Sequence, residues 1–245
     1  AALAGCCLLG AGMAQNALAD LADDRLRKPE RPLPQGDLTP RTVLLWFMGL
    51  TAIPLALAFV FPFLWPPVLI IVGLTAAYHW LLKRQRLAGC LALGVLRATS
   101  MSLGVVAATQ QWPGGIALPA CALYGLYITG ASLHASTDDE PKGNRASPLG
   151  LGLCLATLLT LAGWLLTKHT QPLDLAGPLL LLWAGTRLLS AARRLPPPAV
   201  TGTALSGLQL FHGGLVAGLG QPLVGGTILV LFALGRRLLR SFPPS

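Results

Sequence analysis

Residues 16–36, NALADLADDRLRKPERPLPQG, end one apolar run of the chain and precede the next. With the following Asp37, they hold five of the nine acidic residues in the sequence. Asn16, Asp20 and Asp24 recur every four residues, so on a helix they drift by only about 40° per step and form one stripe of oxygen atoms. Such a stripe suits Mg²⁺, which prefers one or two carboxylates together with water and phosphate oxygens. The spacing therefore predicts half of a site for Mg²⁺ and a diphosphate.

Basic side chains follow this stripe directly. Arg25, Arg27, Lys28 and Arg31 lie within the next few residues. Guanidinium and ammonium groups bind phosphate oxygens through charge-assisted hydrogen bonds. We therefore expect this cluster to neutralise the phosphate charge that a metal ion leaves over.

The composition is typical of a helical membrane protein. The 245 residues are 53% hydrophobic and only 11% charged, and the mean hydropathy is +0.64. These values are too apolar for an ordinary soluble domain. The net charge of +9 would suggest nucleic acid in a soluble protein, but the basic residues are scattered between apolar segments. The composition thus predicts a lipid bilayer as partner and excludes nucleic acid.

The chain divides into segments that are long enough to cross a bilayer, for which about 20 apolar residues are needed. Clusters of proline and glycine provide the breaks. The segments cover residues 1–22, 41–60, 64–83, 87–109, 116–135, 148–167, 174–192, 202–218 and 222–240. The predicted fold class is therefore all-α, a polytopic transmembrane bundle of about nine helices.

The basic residues between these segments support the division. With nine segments, alternate connections lie on one side of the membrane, and almost all connecting bases fall on that side, whereas Lys168 falls on the other. By the positive-inside rule, the side that carries residues 16–36 is cytoplasmic. We expect an integral protein of a bacterial inner membrane, with its charged loops in the cytoplasm.

A second acidic loop lies on the same predicted side. Residues 136–145, STDDEPKGNR, contain Asp138, Asp139 and Glu140. The two loops together hold eight of the nine acidic residues, and the ninth is Asp174. We expect the two loops to converge, with some of these three carboxylates as further ligands of a metal ion.

The first loop resembles a known signature. The pattern N-x-x-x-D-x-x-x-D, followed by R-x-x-K-P-E-R-P-L-P-x-G, is similar to the first motif of the UbiA superfamily of intramembrane prenyltransferases. The family often carries Asp directly after the Asn, where this chain has Ala17. Its second motif is usually D-x-x-x-D, and here Ser136 and Glu140 occupy the two Asp positions.

The resemblance implies an enzyme with a defined set of ligands. It would transfer an isoprenoid group from a polyprenyl diphosphate to an aromatic or other small acceptor, with Mg²⁺ as cofactor. The metal ligands would be Asn16, Asp20 and Asp24, with Asp138, Asp139 and Glu140 on the second loop. The whole chain, residues 1–245, would form one UbiA-like domain. In the family the first apolar run would be the second helix, so we expect an N-terminally truncated chain in which the first helix is missing.

Two further segments enlarge this resemblance. YHWLLKR, residues 78–84, is similar to a family segment with an aromatic residue before a Lys-Arg pair. This similarity implies that Lys83 and Arg84 bind the diphosphate, together with Arg27, Lys28 and Arg31; the alternative is that Lys83 and Arg84 only determine topology. Arg97 lies inside a predicted membrane helix, where a lone charge costs roughly 2.5 to 3.5 kcal/mol, so we expect a catalytic role beside Asp20 and Asp24. The sequences around Arg97 and YITGASLHAS before the second loop resemble the EboC-like branch.

Two alternatives from other functional classes remain open. A membrane transporter or lipid translocator would use the acidic residues for ion coupling, although such residues are usually near the bilayer midplane rather than at segment ends beside basic clusters. A non-catalytic family member would act as a membrane scaffold, which the departures at Ala17, Ser136 and Glu140 would permit. Oligomeric state is not encoded in any pattern of this sequence.

Overall fold

The protein is built from helices in a computed structural model that describes residues 1–136, 147–168 and 171–241, without the side chains at 236 and 238–241. Ten α-helices follow one another in the described residues, and no strand is present in them. The helices are α1 (Ala2–Arg27), α2 (Pro32–Gln35), α3 (Pro40–Val60), α4 (Trp65–Ala77), α5 (Arg86–Thr109), α6 (Ala117–Ala135), α7 (Pro148–Leu166), α8 (Ala176–Arg194), α9 (Pro197–Gly218) and α10 (Pro222–Ser241). The prediction of an all-α bundle is confirmed.

Each of the nine predicted segments corresponds to a long helix, and α2 is one additional short turn. Six helical stretches in the described part of the chain are long and apolar enough to cross a membrane. They are Ala2–Arg27, Pro40–Val60, Pro62–Leu82, Arg86–Thr109, Pro148–Leu166 and Pro172–Arg194. Pro222–Gly235 is apolar but shorter, and membrane crossing by α6, α9 and α10 stays a prediction.

The helices form two compact units, Ala1–Gly125 and Leu126–Ser245. In the first unit, residues of α1, α3, α4 and α5 share one apolar core. Its fully or almost fully buried members include Ala4, Ala58, Val68 and Leu103. In the second unit, the Tyr127 hydroxyl donates a hydrogen bond of 2.8 Å to the Ala204 carbonyl, and its ring lies 6.0 Å from that of Phe211.

The connection from α1 to α3 explains the proline-rich part of the first motif. Pro32 occupies the first position of α2, where its missing N–H costs nothing, and Gly36 ends this turn in the left-handed conformation at a φ of 96°. Thr39 then caps α3 by accepting a hydrogen bond of 3.1 Å from the Thr42 N–H. These residues lead the chain from α1 into α3, and a tighter turn just before them, in which the Arg31 N–H donates to the Lys28 carbonyl at 3.1 Å, returns Arg31 toward the end of α1.

The end of α4 is widened by a π-helical turn, Tyr78–Leu82. The Lys83 N–H donates to the Tyr78 carbonyl at 2.9 Å, five residues back instead of four. Such turns are rare and are frequently found at functional sites. The beginning of α5 packs closely against this turn, because a Cβ atom at Gly89 would lie 3.1 Å from the Leu82 carbonyl oxygen and 3.2 Å from the Lys83 Cα.

Candidate active site

One ion pair joins α1 to the π-helical turn. The Lys83 ammonium contacts a carboxylate oxygen of Asp20 and also lies 3.4 Å from the side-chain oxygen of Asn16. Lys83 and Asp20 are both largely buried, with 22% and 28% of their side chains exposed. Asn16 and Asp20 belong to the predicted stripe, and α1 is continuous through it. The two oxygens are therefore placed so that a single cation contacts both.

A second ion pair closes the loop that follows α1. An Arg31 Nη1–H donates to the Asp24 carboxylate at 2.7 Å, and only 9% of the Asp24 side chain is exposed. The neighbouring Asp23 behaves differently, since it pairs with Arg27 at 3.0 Å on the exposed face of the helix. The structure thus separates two adjacent carboxylates, one buried in the site and one solvated.

A cavity of about 920 Å³ begins at this charged end of the first unit. Asn16, Asp24 and Arg31 line its polar part. Lys83 lies beside that part because it contacts Asn16, and Asp20 lies there because it contacts Lys83. Most of the remaining wall is apolar and comes from α1, α3, α4 and α5. The shape combines a charged mouth with a long apolar interior, which suits an amphiphile with an anionic head.

Arg97 also lines the cavity, from α5. The sequence predicts a catalytic role for Arg97 beside Asp20 and Asp24. Among the residues that the structure describes, Arg97 forms no ion pair with a carboxylate. A guanidinium in the wall of an intramembrane cavity is costly unless an anion or water accompanies it, so its position is consistent with the binding of an anionic group.

Three of the other predicted ligands lie outside the cavity wall. Arg27, Lys28 and Arg84 are exposed and are not part of the cavity wall. The predicted carboxylates Asp138, Asp139 and Glu140 lie outside the described residues. Convergence of the two acidic loops therefore stays a prediction.

Several cavity residues were not predicted as site residues. Tyr78 and His79, whose rings are 5.0 Å apart in an edge-on arrangement, line the cavity from the π-helical turn, and Trp46 lines it from α3. Tyr78 and His79 belong to the segment YHWLLKR, so proximity to Lys83 was the available signal. No pattern marked Trp46, because an exposed and a cavity-lining Trp look alike in a membrane sequence.

The described side chains contain no group of three His, Cys, Asp or Glu residues arranged as a metal site. The donors that are present fit Mg²⁺ in a different way. Asn16, Asp20 and Asp24 offer oxygen ligands only, and Mg²⁺ is commonly held by one or two carboxylates with substrate phosphates and water completing its shell. Two carboxylates and an amide are thus a sufficient protein contribution if a diphosphate supplies the rest.

Comparison with known proteins gives one finding. The model of the UbiA prenyltransferase family matches residues 1–212, which include every described site residue named above. Neither the curated proteins nor the solved structures gave a match to the chain. The family match does not distinguish branches, so the EboC-like assignment stays a prediction. With its six long apolar helices and this match over most of its length, the chain belongs to the UbiA prenyltransferase family, whose members are integral membrane prenyltransferases.

Proposed function

We propose that the protein transfers an isoprenoid group from a polyprenyl diphosphate to an aromatic or other small acceptor, in a reaction that depends on Mg²⁺. One observation carries the proposal. The charged mouth formed by Asn16, Asp24 and Arg31 opens into an apolar cavity of about 920 Å³. A diphosphate head and a hydrocarbon tail match these two parts.

Asn16, Asp20 and Asp24 are the proposed holders of Mg²⁺, and Asp138, Asp139 and Glu140 are proposed to add ligands from the second loop. The fit rests on the Lys83 ammonium, which already contacts oxygens of both Asn16 and Asp20. These oxygens are therefore oriented toward one cation position. When bound, the metal would supply positive charge for the diphosphate oxygens.

Lys83 and Arg31 provide positive charge at the proposed diphosphate site. In the structure each is paired with a carboxylate of α1. With a diphosphate in the mouth, both cations have a second anion within reach and contact its oxygens. As the allylic C–O bond breaks, negative charge grows on the leaving diphosphate, and preorganised cations lower the barrier more than they strengthen ground-state binding.

Arg97 acts from the cavity wall in the same proposal, and it stabilises the leaving group or an anionic part of the acceptor. Arg27, Lys28 and Arg84 contribute to the positive field at the entrance, which raises the local concentration of an anionic donor. The apolar wall surrounds the prenyl tail and keeps water from the allylic cation. The acceptor then forms a bond to the allylic carbon and releases a proton.

The placement of the protein in the cell is part of the same proposal. The bilayer is the inner membrane of a bacterium, the two charged loops face the cytoplasm, and residues 1–245 form one functional domain. The positive-inside distribution of the basic residues supports this orientation.

The proposal is tested by the binding of a radiolabelled polyprenyl diphosphate to the purified, detergent-solubilised protein, with Mg²⁺ and with EDTA. We expect saturable binding that requires Mg²⁺ and is lost in Asp20→Asn. Binding that is indifferent to both EDTA and Asp20→Asn, in protein that remains folded, would contradict the proposal. Folded wild-type protein that binds no prenyl diphosphate would move the assignment to a transporter or a scaffold.

A further inference from the structure

Lys83 contacts two of the three side chains that are proposed to hold Mg²⁺. Its ammonium forms an ion pair with the Asp20 carboxylate and lies 3.4 Å from the side-chain oxygen of Asn16. Only 22% of the Lys83 side chain and 28% of the Asp20 side chain are exposed, so the pair is only weakly screened. Two cations on one carboxylate repel each other strongly at such short range. Lys83 and a metal ion are therefore expected to exclude each other from Asp20.

The charges of four side chains at the mouth balance one another. Asp20 pairs with Lys83, and Asp24 pairs with Arg31 at 2.7 Å, so two carboxylates face two cations. Mg²⁺ alone would add two positive charges to this balanced group. A prenyl diphosphate alone would add about three negative charges, of which about two are on the terminal phosphate. The two ligands together add only about one negative charge, so the balance favours joint binding over the binding of either ligand alone.

Lys83 and Arg31 differ in how they can respond to a second anion. A guanidinium has five N–H donors in a planar fork, so Arg31 can bind Asp24 and a phosphate at the same time. Lys83 carries a single ammonium on a flexible stem of four carbons. Its backbone is held by the π-helical turn, where the Lys83 N–H donates to the Tyr78 carbonyl at 2.9 Å. The ammonium can therefore move from Asp20 to a diphosphate in the mouth by rotation of side-chain bonds alone.

We propose that Lys83 is a built-in counter-ion that occupies the metal position until the donor binds, a proposal that rests on the proposed function. Without a donor, Lys83 neutralises Asp20 and competes with a metal ion for it. A diphosphate in the mouth offers Lys83 a second anion, and the ammonium moves from Asp20 to the diphosphate. Asn16 and Asp20 are then available to Mg²⁺. Donor and metal thus strengthen each other's binding, and by linkage they do so by the same factor.

The test is the binding of Mn²⁺ to the purified protein without any donor, measured by electron paramagnetic resonance, because Mn²⁺ prefers the same oxygen ligands as Mg²⁺. We expect weak binding to the wild type and roughly tenfold tighter binding to Lys83→Met, in which Asp20 has no counter-ion to exchange. Lys83→Gln should give the same gain and replaces Lys83→Met if that variant does not stay folded in detergent. Lys168→Met makes the same chemical change at the end of α7 and should bind Mn²⁺ like the wild type. Asp20→Asn, combined with Lys83→Met, should abolish the gain.

A second measurement separates this proposal from the proposed function. Binding of radiolabelled farnesyl diphosphate to the wild type is followed over a series of Mg²⁺ concentrations, and the affinity should rise by roughly tenfold or more at saturating Mg²⁺. Folded wild-type protein that binds no farnesyl diphosphate at any Mg²⁺ concentration contradicts the proposed function itself. If the wild type binds the donor but both folded Lys83 variants bind Mn²⁺ no more tightly than the wild type, the proposal on Lys83 is overturned and the proposed function stands. A gain in Mn²⁺ affinity that persists in the Asp20→Asn combination also overturns it.

Discussion

Glycine has two opposite uses in this protein. In the second unit, Gly177 of α8 lies directly against the backbone of Gly214 and Gly218 in α9, with no room for a Cβ atom. In the first unit, Gly5 and Gly12 of α1 face the cavity, and a Cβ atom at Gly5 would meet nothing within 4 Å. The same residue type thus brings helices together at one place and leaves open space beside a cavity at another.

This comparison shows that a glycine in a membrane sequence does not by itself indicate close helix packing. Close helix packing is the common role of repeated glycines in membrane bundles. The contacts of α8 with α9 agree with that role. Gly5 on the cavity face of α1 does not, because a Cβ atom there would meet nothing within 4 Å. Packing and cavity glycines are therefore distinguished by what faces them, and this information is not local in sequence.

The largest effect on stability is expected from filling a packed glycine. Gly177→Ala places a methyl group against the backbone of α9, and overpacking of this kind costs up to about 3 kcal/mol. For a chain of this size, the loss corresponds to a fall of roughly 10 °C in the apparent Tm in detergent. The matched Gly73→Ala should keep or slightly raise Tm, since alanine favours helices and its Cβ has open space. Equal changes of Tm in the two variants would contradict the distinction between packed and open glycines.

A second large effect, on binding, is expected at Lys83. Lys83→Met removes a cation that contacts Asn16 and Asp20, and a hydrogen bond to a charged group is worth about 2 kcal/mol, or roughly thirtyfold in affinity for a prenyl diphosphate. The measurement is equilibrium binding with Mg²⁺. Lys168→Met changes the same charge at the end of α7 and should leave the affinity unaltered. If Lys83→Met binds the prenyl diphosphate with wild-type affinity, Lys83 does not contribute to the site.

A smaller effect is expected from a residue that touches no ligand. Gly89→Ala pushes against the Leu82 carbonyl oxygen and the Lys83 Cα, from 3.1 and 3.2 Å, and so displaces the lysine backbone by a few tenths of an ångström. Small misplacements of this kind reduce prenyl transfer severalfold without unfolding the protein. Gly104→Ala on the same helix, where a Cβ meets nothing within 4 Å, is the control. If both variants transfer prenyl groups equally well, Gly89 does not position Lys83.

Helical periodicity and the positions of proline and glycine predicted much of the fold. The proline and glycine clusters predicted the nine long helices of the described residues, six of them to within two residues at both ends, because these residues end helices for local steric reasons. The stripe of Asn16, Asp20 and Asp24 likewise depends only on helical geometry. Local sequence rules therefore predict a structural feature when the contacts that produce it lie within about one helical turn.

The sequence did not reveal the pairing of individual charges. Asp23 and Asp24 are adjacent and chemically identical, yet one pairs with Arg27 in solvent and the other with Arg31 beside the cavity. The choice depends on the turn at residues 28–31, closed by the Arg31 N–H to the Lys28 carbonyl, which brings Arg31 back to Asp24, seven residues earlier. The π-helical turn that holds Lys83 was also not predicted, since the helix carries an extra residue per turn there without a distinctive composition.

The two neighbouring carboxylates provide the most direct test of the central claim, that the cavity side of α1 near Asp24 binds the donor diphosphate. Asp24→Asn and Asp23→Asn make the same chemical change one residue apart, on the cavity side and on the solvent side of one helix. The measurement is Mg²⁺-dependent binding of a radiolabelled prenyl diphosphate to each folded variant. We predict that binding is lost in Asp24→Asn and retained at wild-type affinity in Asp23→Asn. Equal binding by the two variants would contradict the placement of the donor site at this cavity.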